Sequence, residues 1–118
     1  MMDVRVKFSS KGNILTAKII GELDHHTAEY IREKIDAEIV KASTKHLVLD
    51  FTDTTFMDSS GIGVIMGRYK NISKFNGKTV LSANKKQIIK IIEMAGITNI
   101  IPLFKNPQDA VDSLLSND

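Results

Sequence analysis

The chain contains no cysteine, and only two prolines and seven glycines in 118 residues. Without cysteine, disulfide staples, thiolate nucleophiles and thiolate zinc sites are excluded, so packing alone must hold the fold. With so little proline and glycine, no linker-like stretch divides the chain, and one domain over residues 1–118 is expected. An excess of one charge is also missing. Sixteen Lys and Arg stand against fourteen Asp and Glu, a formal net charge of +2, and the basic residues are spread out rather than gathered into a stripe. Nucleic acid is therefore not expected as a partner. No apolar run reaches membrane-spanning length, and the segment from Met1 to Phe8 is broken by Asp3, Arg5 and Lys7, unlike a signal peptide. The expectation is a cytoplasmic protein with no membrane partner. Repeats, low-complexity tracts and lipidation motifs are absent as well.

What is present suffices for a core: 42% of the residues are hydrophobic and 25% charged, as in ordinary soluble domains. Val4, Val6 and Phe8 alternate with Arg5 and Lys7, and after Lys11-Gly12-Asn13 a second alternating run covers Ile14 to Ile20, which predicts an opening hairpin closed at Gly21. Ala28, Ile31, Ile35 and Ile39 recur at helical steps and predict a helix from Thr27 to Ala42, with Glu29–Arg32 and Lys34–Glu38 pairs on its outer face. Leu47-Val48-Leu49 followed by Phe51 is continuous and apolar, the pattern of a parallel strand covered on both faces. A polar loop, Thr52 to Asp58, leads to a second helix whose apolar positions are Ile62, Ile65, Met66, Tyr69 and Ile72, ended by Gly77. A strand at Thr79 to Leu81, a helix carrying Ile88, Ile91, Ile92 and Ala95 and stopping at Gly96, a strand at Ile100 to Phe104 and a helix after Asn106-Pro107 complete the chain. The order ββαβαβαβα predicts an α/β fold, a mixed but mostly parallel sheet with helices packed on it.

In such sheets, sites gather where strands end and helices begin. Asp58-Ser59-Ser60-Gly61 occupies such a position. Asp58 or Ser60 could simply cap the second helix. A phosphoryl group on one of the serines would add about 1.5 to 2 negative charges and three acceptor oxygens. At a helix N-terminus that charge gains roughly 0.3 to 1 kcal/mol, up to about 2 when partly buried, against repulsion from Asp58, so the fold should survive it. A partner burying the unmodified serine would lose several kcal/mol on meeting an unpaired dianion, at about tenfold in affinity per 1.4 kcal/mol. These magnitudes favour a switch acting on binding rather than folding. They do not choose between Ser59 and Ser60.

The segments Gly21-Glu22-Leu23-Asp24-His25-His26-Thr27-Ala28-Glu29 and Phe56-Met57-Asp58-Ser59-Ser60-Gly61 closely resemble the anti-sigma factor antagonists of spore-forming bacteria, whose fold is called STAS. The second segment looks like the sporulation branch, the sigma-F type. Similarity continues through Gly63-Val64-Ile65 and Gly67-Arg68-Tyr69-Lys70, and with the order of elements it covers essentially the whole chain. The resemblance implies a partner-switching cycle. In that family the unmodified antagonist binds an anti-sigma factor that is also a serine kinase, releasing a sporulation sigma factor for transcription. The kinase transfers phosphate from Mg-ATP to the first serine of the motif, here Ser59, and a separate metal-dependent serine phosphatase removes it. The chain would then be a substrate and binding module, not an enzyme, with no metal or cofactor of its own. The resemblance also suggests that the Asp24 loop joins Asp58, Ser59, Ser60 and Gly61 at the partner surface, although Asp24 equally suits the turn before the first helix.

Gly63 and Gly67 stand one turn apart and would leave a shallow helix face for a partner to approach, whereas Gly61, Gly63 and Gly67 lack the lysine and the spacing of a phosphate-binding loop. The adjacent His25 and His26 do not share a helix face and are poorly placed as joint metal ligands. A serine hydrolase would need a Gly-x-Ser-x-Gly elbow or a base near Ser59, and neither is evident. The alternative from another class is a nucleotide or small-molecule sensor that holds a ligand phosphate at the N-terminus of the second helix.

Overall fold

A computed structural model describes residues 4–115, so Asp3 lies outside the described residues. The elements run β1 (Val4–Lys11), β2 (Ile14–Leu23), α1 (Ala28–Lys41), β3 (His46–Asp50), β4 (Thr54–Met57), α2 (Ser59–Ser73), β5 (Thr79–Ser82), α3 (Lys86–Met94), β6 (Leu103–Phe104) and α4 (Pro107–Leu115), with a 3-10 turn at Ile97–Asn99. Strands lie in the order β1-β2-β3-β5-β6, with β4 attached to β2. Among the described residues, only β1 and β2 pair antiparallel, and the other pairings are parallel. The α/β class and the mostly parallel sheet are as expected.

The continuous apolar run in β3 divides between two cores, as a strand covered on both faces requires. Leu47 and Leu49 pack with Ile31 and Ile35 of α1, Ile65 of α2 and Ile88 and Ile92 of α3. Val48 joins Ile14, Val80 and the α4 residues Ala110 and Leu114 on the opposite face. Each fully buried Leu, Ile or Phe stabilises the fold by about 1.5 to 3 kcal/mol relative to exposure. One ion pair crosses this packing: Arg68 Nε of α2 lies 2.8 Å from Asp36 Oδ1 of α1. Burial pushes the Arg68 pKa down, and the Asp36 charge partly offsets that push.

Four expectations need correction. Gly21 does not end the second strand. Its φ of 108° accommodates a bulge, and β2 runs on to Leu23. The loop from Thr52 to Asp58 contains β4, so the order gains a strand and reads ββαββαβαβα. Gly21 pairs with Thr54 but Glu22 pairs with Phe56, which leaves Thr55 as the extra residue on the β4 side. The strand expected over Ile100 to Phe104 shrinks to Leu103–Phe104, because the amides of Ile100 and Ile101 bond the Ile97 carbonyl instead. On α1, Glu29 and Arg32 pair at 3.5 Å, while the Lys34 ammonium stands 5.5 Å over the Tyr30 ring rather than beside Glu38.

Gly77 follows the end of α2 for a steric reason: a Cβ there would lie 1.9 Å from the Lys45 carbonyl oxygen. Gly77→Ala is expected to lose about 1 to 3 kcal/mol in urea unfolding with an unchanged denaturant slope, since backbone rather than a flexible side chain must yield.

Candidate functional site

Leu23 and Met57 are paired on adjacent parallel strands, and the Asp58 amide donates to the Leu23 carbonyl at 3.3 Å. Both strands end there, so the loop carrying Asp24 and the turn carrying Asp58 and Ser59 emerge side by side. Gly61 makes this junction possible. It is buried, and a Cβ on it would stand 2.4 Å from Met57 Cγ and 3.1 Å from Leu23 Cγ.

Asp58, not Ser60, caps α2. Asp58 is extended, its Oδ1 accepts the Ser60 amide at 2.8 Å, and its carbonyl accepts the Gly61 amide at 3.0 Å. Two of the helix's first donors are thereby used, and a carboxylate already occupies the positive end of the dipole. Ser59 is the first helical residue. It is exposed, and its hydroxyl has no partner among the described residues. Ser60 is half-buried.

Asp24 organises its own turn. Its Oδ1 accepts the amides of His26 at 2.8 Å and Thr27 at 3.1 Å, and its carbonyl accepts the amide of Ala28 at 2.9 Å. The Thr27 hydroxyl accepts the Asp24 amide at 3.0 Å and donates to the Glu22 carbonyl at 2.8 Å, tying the turn to the end of β2. Partial desolvation raises the Asp24 pKa, but the two amide bonds and the neighbouring His26 and His25 outweigh it, and the net shift is downward. His25 and His26 are exposed with ring centroids 3.9 Å apart. Among the described residues, no group of three His, Asp or Glu side chains is arranged to hold a metal ion.

Beside Ser59, α2 and α3 leave an open groove of ≈ 550 Å³, with Ser59 and Ile62 on one wall and Gln87, Lys90, Ile91 and Met94 on the other. Met94 is 77% exposed, and Phe56, next to the site on β4, is 47% exposed. Gly63 and Gly67 face open space, since a Cβ on either would meet nothing within 4 Å. Sequence reasoning missed the α3 wall. Ile91 reads as core from its spacing, yet it is only half-buried, and the signal available was Met94 one turn further along the same helix.

Residues 5–110 match the model of the STAS domain family. The chain is 33% identical over 113 residues to the anti-sigma F factor antagonist of Paenibacillus polymyxa, covering 96% of this chain and 97% of that one. It superposes on the unphosphorylated form of the anti-sigma factor antagonist SpoIIAA with a TM-score of 0.71 at 25% identity, covering 94% of this chain and 96% of the other. The phosphorylated form of the Bacillus cell fate determinant SpoIIAA matches with a TM-score of 0.72 at 26% identity, covering 93% and 99%.

Removal of the cap by Asp58→Ala is expected to cost about 1 kcal/mol in urea unfolding, while Asp58→Asn, which keeps an accepting oxygen, costs less. Because Asp24 titrates below its ordinary value in the folded chain, the stability it adds is complete above the ordinary carboxylate range. That stability is lost as pH falls through the depressed value. A carbon-13 titration should place the Asp24 carboxyl below a model carboxylate, and Asp24→Asn should remove this part of the acid dependence.

Proposed function

The chain belongs to the STAS domain family, and from that premise we propose that it is an anti-sigma factor antagonist whose unmodified form binds an anti-sigma factor and whose binding is abolished by phosphorylation of Ser59. The observation that carries the proposal is the placement of Ser59: an exposed hydroxyl without a partner among the described residues, on the rim of an apolar groove, at the positive end of a fifteen-residue helix. The name of the Paenibacillus relative supplies the class of partner, and the SpoIIAA structures belong to a protein with both a phosphorylated and an unphosphorylated form.

The geometry supplies a reason for each half of the cycle. In the unmodified form, Ile62, Ile91 and Met94 offer apolar surface at about 25 cal/mol per Å² removed from water. Asp24 and Asp58 follow the paired ends of β2 and β4, next to Ser59, and both carboxylates are held by backbone amides, so little side-chain freedom would be lost on docking. Gly63 and Gly67 let a partner come close to the α2 backbone. In the modified form, a dianion at Ser59 would face the same groove. Burying it there without a cation from the partner costs several kcal/mol. Within the chain, the helix dipole favours that charge and Asp58 opposes it, so the folded structure has little reason to change.

Ser59 rather than Ser60 is the acceptor on this reading. It is the exposed member of the pair, and the amide of Ser60 is committed to the Asp58 cap. The partner is an anti-sigma factor with serine kinase activity, the phosphate returns to water through a separate serine phosphatase, and the chain itself performs no catalysis. The cycle would run in the cytoplasm, and no described helix is long and apolar enough to cross a membrane.

Incubation with an anti-sigma factor kinase and Mg-ATP should add one phosphoryl group, mapped by intact mass and phosphopeptide analysis to Ser59. Ser60→Ala should still be modified, and Ser59→Ala should not. Modification that persists in Ser59→Ala would contradict the assignment.

A further inference from the structure

The chain has five methionines and no cysteine, so sulfur oxidation in it falls on thioethers. Met1 and Met2 lie outside the described residues. The other three differ in their surroundings. Met57 is 5% exposed and belongs to the core with Leu23, and Met66 is half-buried against the same core. Met94, the last residue of α3, is 77% exposed and lines the groove that Ser59 and Ile62 border from α2. Among the described methionines, it alone is open to an oxidant in solution.

We propose that Met94 is a second modification site on the docking surface, and that its oxidation by a peroxide weakens partner binding without touching Ser59. The inference rests on the reading of this groove as the surface that meets the anti-sigma factor. In the step itself, the thioether sulfur takes one oxygen of hydrogen peroxide. The O–O bond breaks as the S–O bond forms, the sulfur loses two electrons and the peroxide gains them, and the second oxygen leaves with both hydrogens as water. A flexible apolar side chain thereby becomes a polar one. In the free chain the sulfoxide stays in water, so the core is not disturbed. Under a partner, its oxygen would leave water beside Ile62 and Ile91, and burying a polar group without a new hydrogen bond is unfavourable. Methionine sulfoxide is reduced enzymatically, so the change is reversible, as regulation requires. Phosphorylation and oxidation would then act on the two walls of one groove, the first through charge on α2 and the second through polarity on α3.

The test treats the full unphosphorylated chain with hydrogen peroxide, removes the oxidant, and measures affinity for the anti-sigma factor without ATP. Peptide mapping by mass spectrometry should find sulfoxide at Met94 ahead of Met57 and Met66. The oxidised chain should bind about tenfold more weakly, and methionine sulfoxide reductase should restore it. Met94→Leu, which is apolar and has no sulfur, should lose no affinity on the same treatment. Met94→Gln, polar from the start, should bind about tenfold more weakly than the untreated native chain. Sulfoxide at Met57 or Met66 ahead of Met94, full affinity of a chain oxidised at Met94, or an equal loss in peroxide-treated Met94→Leu would overturn the inference and leave the partner reading in place. Failure of the untreated native chain to bind would instead overturn the partner reading, and this inference with it.

Discussion

The parallel pairing of the far end of β2 with β4 is the constraint on which the site depends. β1 occupies one edge of β2 from Ile14 to Gly21, so the other edge serves two partners: β3 along Ile14 to Lys18 and β4 along Gly21 to Leu23. The chain leaves β3 at Asp50, turns, and returns to β2 one step further along. Two hydrogen bonds hold that return: the Thr54 hydroxyl donates to the Ile19 carbonyl at 2.8 Å, and the Gly21 amide donates to the Asp53 carbonyl at 3.2 Å. Because the first of these is buried, its loss would leave the Ile19 carbonyl unpaired at a cost of about 1 to 3 kcal/mol. The pairing brings the Asp24 turn, the Asp58 cap and Ser59 to one place, and Gly61 allows α2 to sit down on it.

From this arrangement follows a separation between the groups that fold the chain and the groups left open on its surface. The cap, the Asp24 turn and the Gly61 contact are satisfied within the chain, through amides and packing that a partner need not touch. The Ser59 hydroxyl, the groove and the open glycines are left over. A charge placed on Ser59 therefore acts on the leftover surface and leaves the satisfied interior alone, which is the property a reversible switch requires. A charge in the core would instead trade a binding change for an unfolding change.

Most of the fold was legible in the sequence because its signals were periodic. The isoleucines of α1, the apolar run of β3 and the Asn106-Pro107 start of α4 each state an element and its buried side. In the last case the structure shows the Asn106 side chain accepting the Asp109 amide at 2.8 Å. β4 was not legible because its four residues are buried only at the ends, Thr54 and Met57, so no alternation marks it. Gly21 reads as a terminator by composition, and only the bulge reveals its purpose. At the site, position was legible but partners were not. Asp58 and Ser60 have equal capping chemistry, and the choice is made by the backbone geometry of the β4 to α2 turn. The α3 wall was hidden for a different reason, since grooves join residues far apart in the chain and leave no local spacing to read.

The central claim is that charge at the start of α2 controls docking and not folding. Its most direct test is to prepare the chain with phosphoserine at position 59 and compare it with the unmodified chain in two titrations, one with urea and one with the anti-sigma factor. The account predicts stabilities within about 1 kcal/mol of each other and an affinity lower by about a hundredfold or more for the phosphorylated chain. Equal affinities, or a phosphorylated chain that loses its fold, would contradict it.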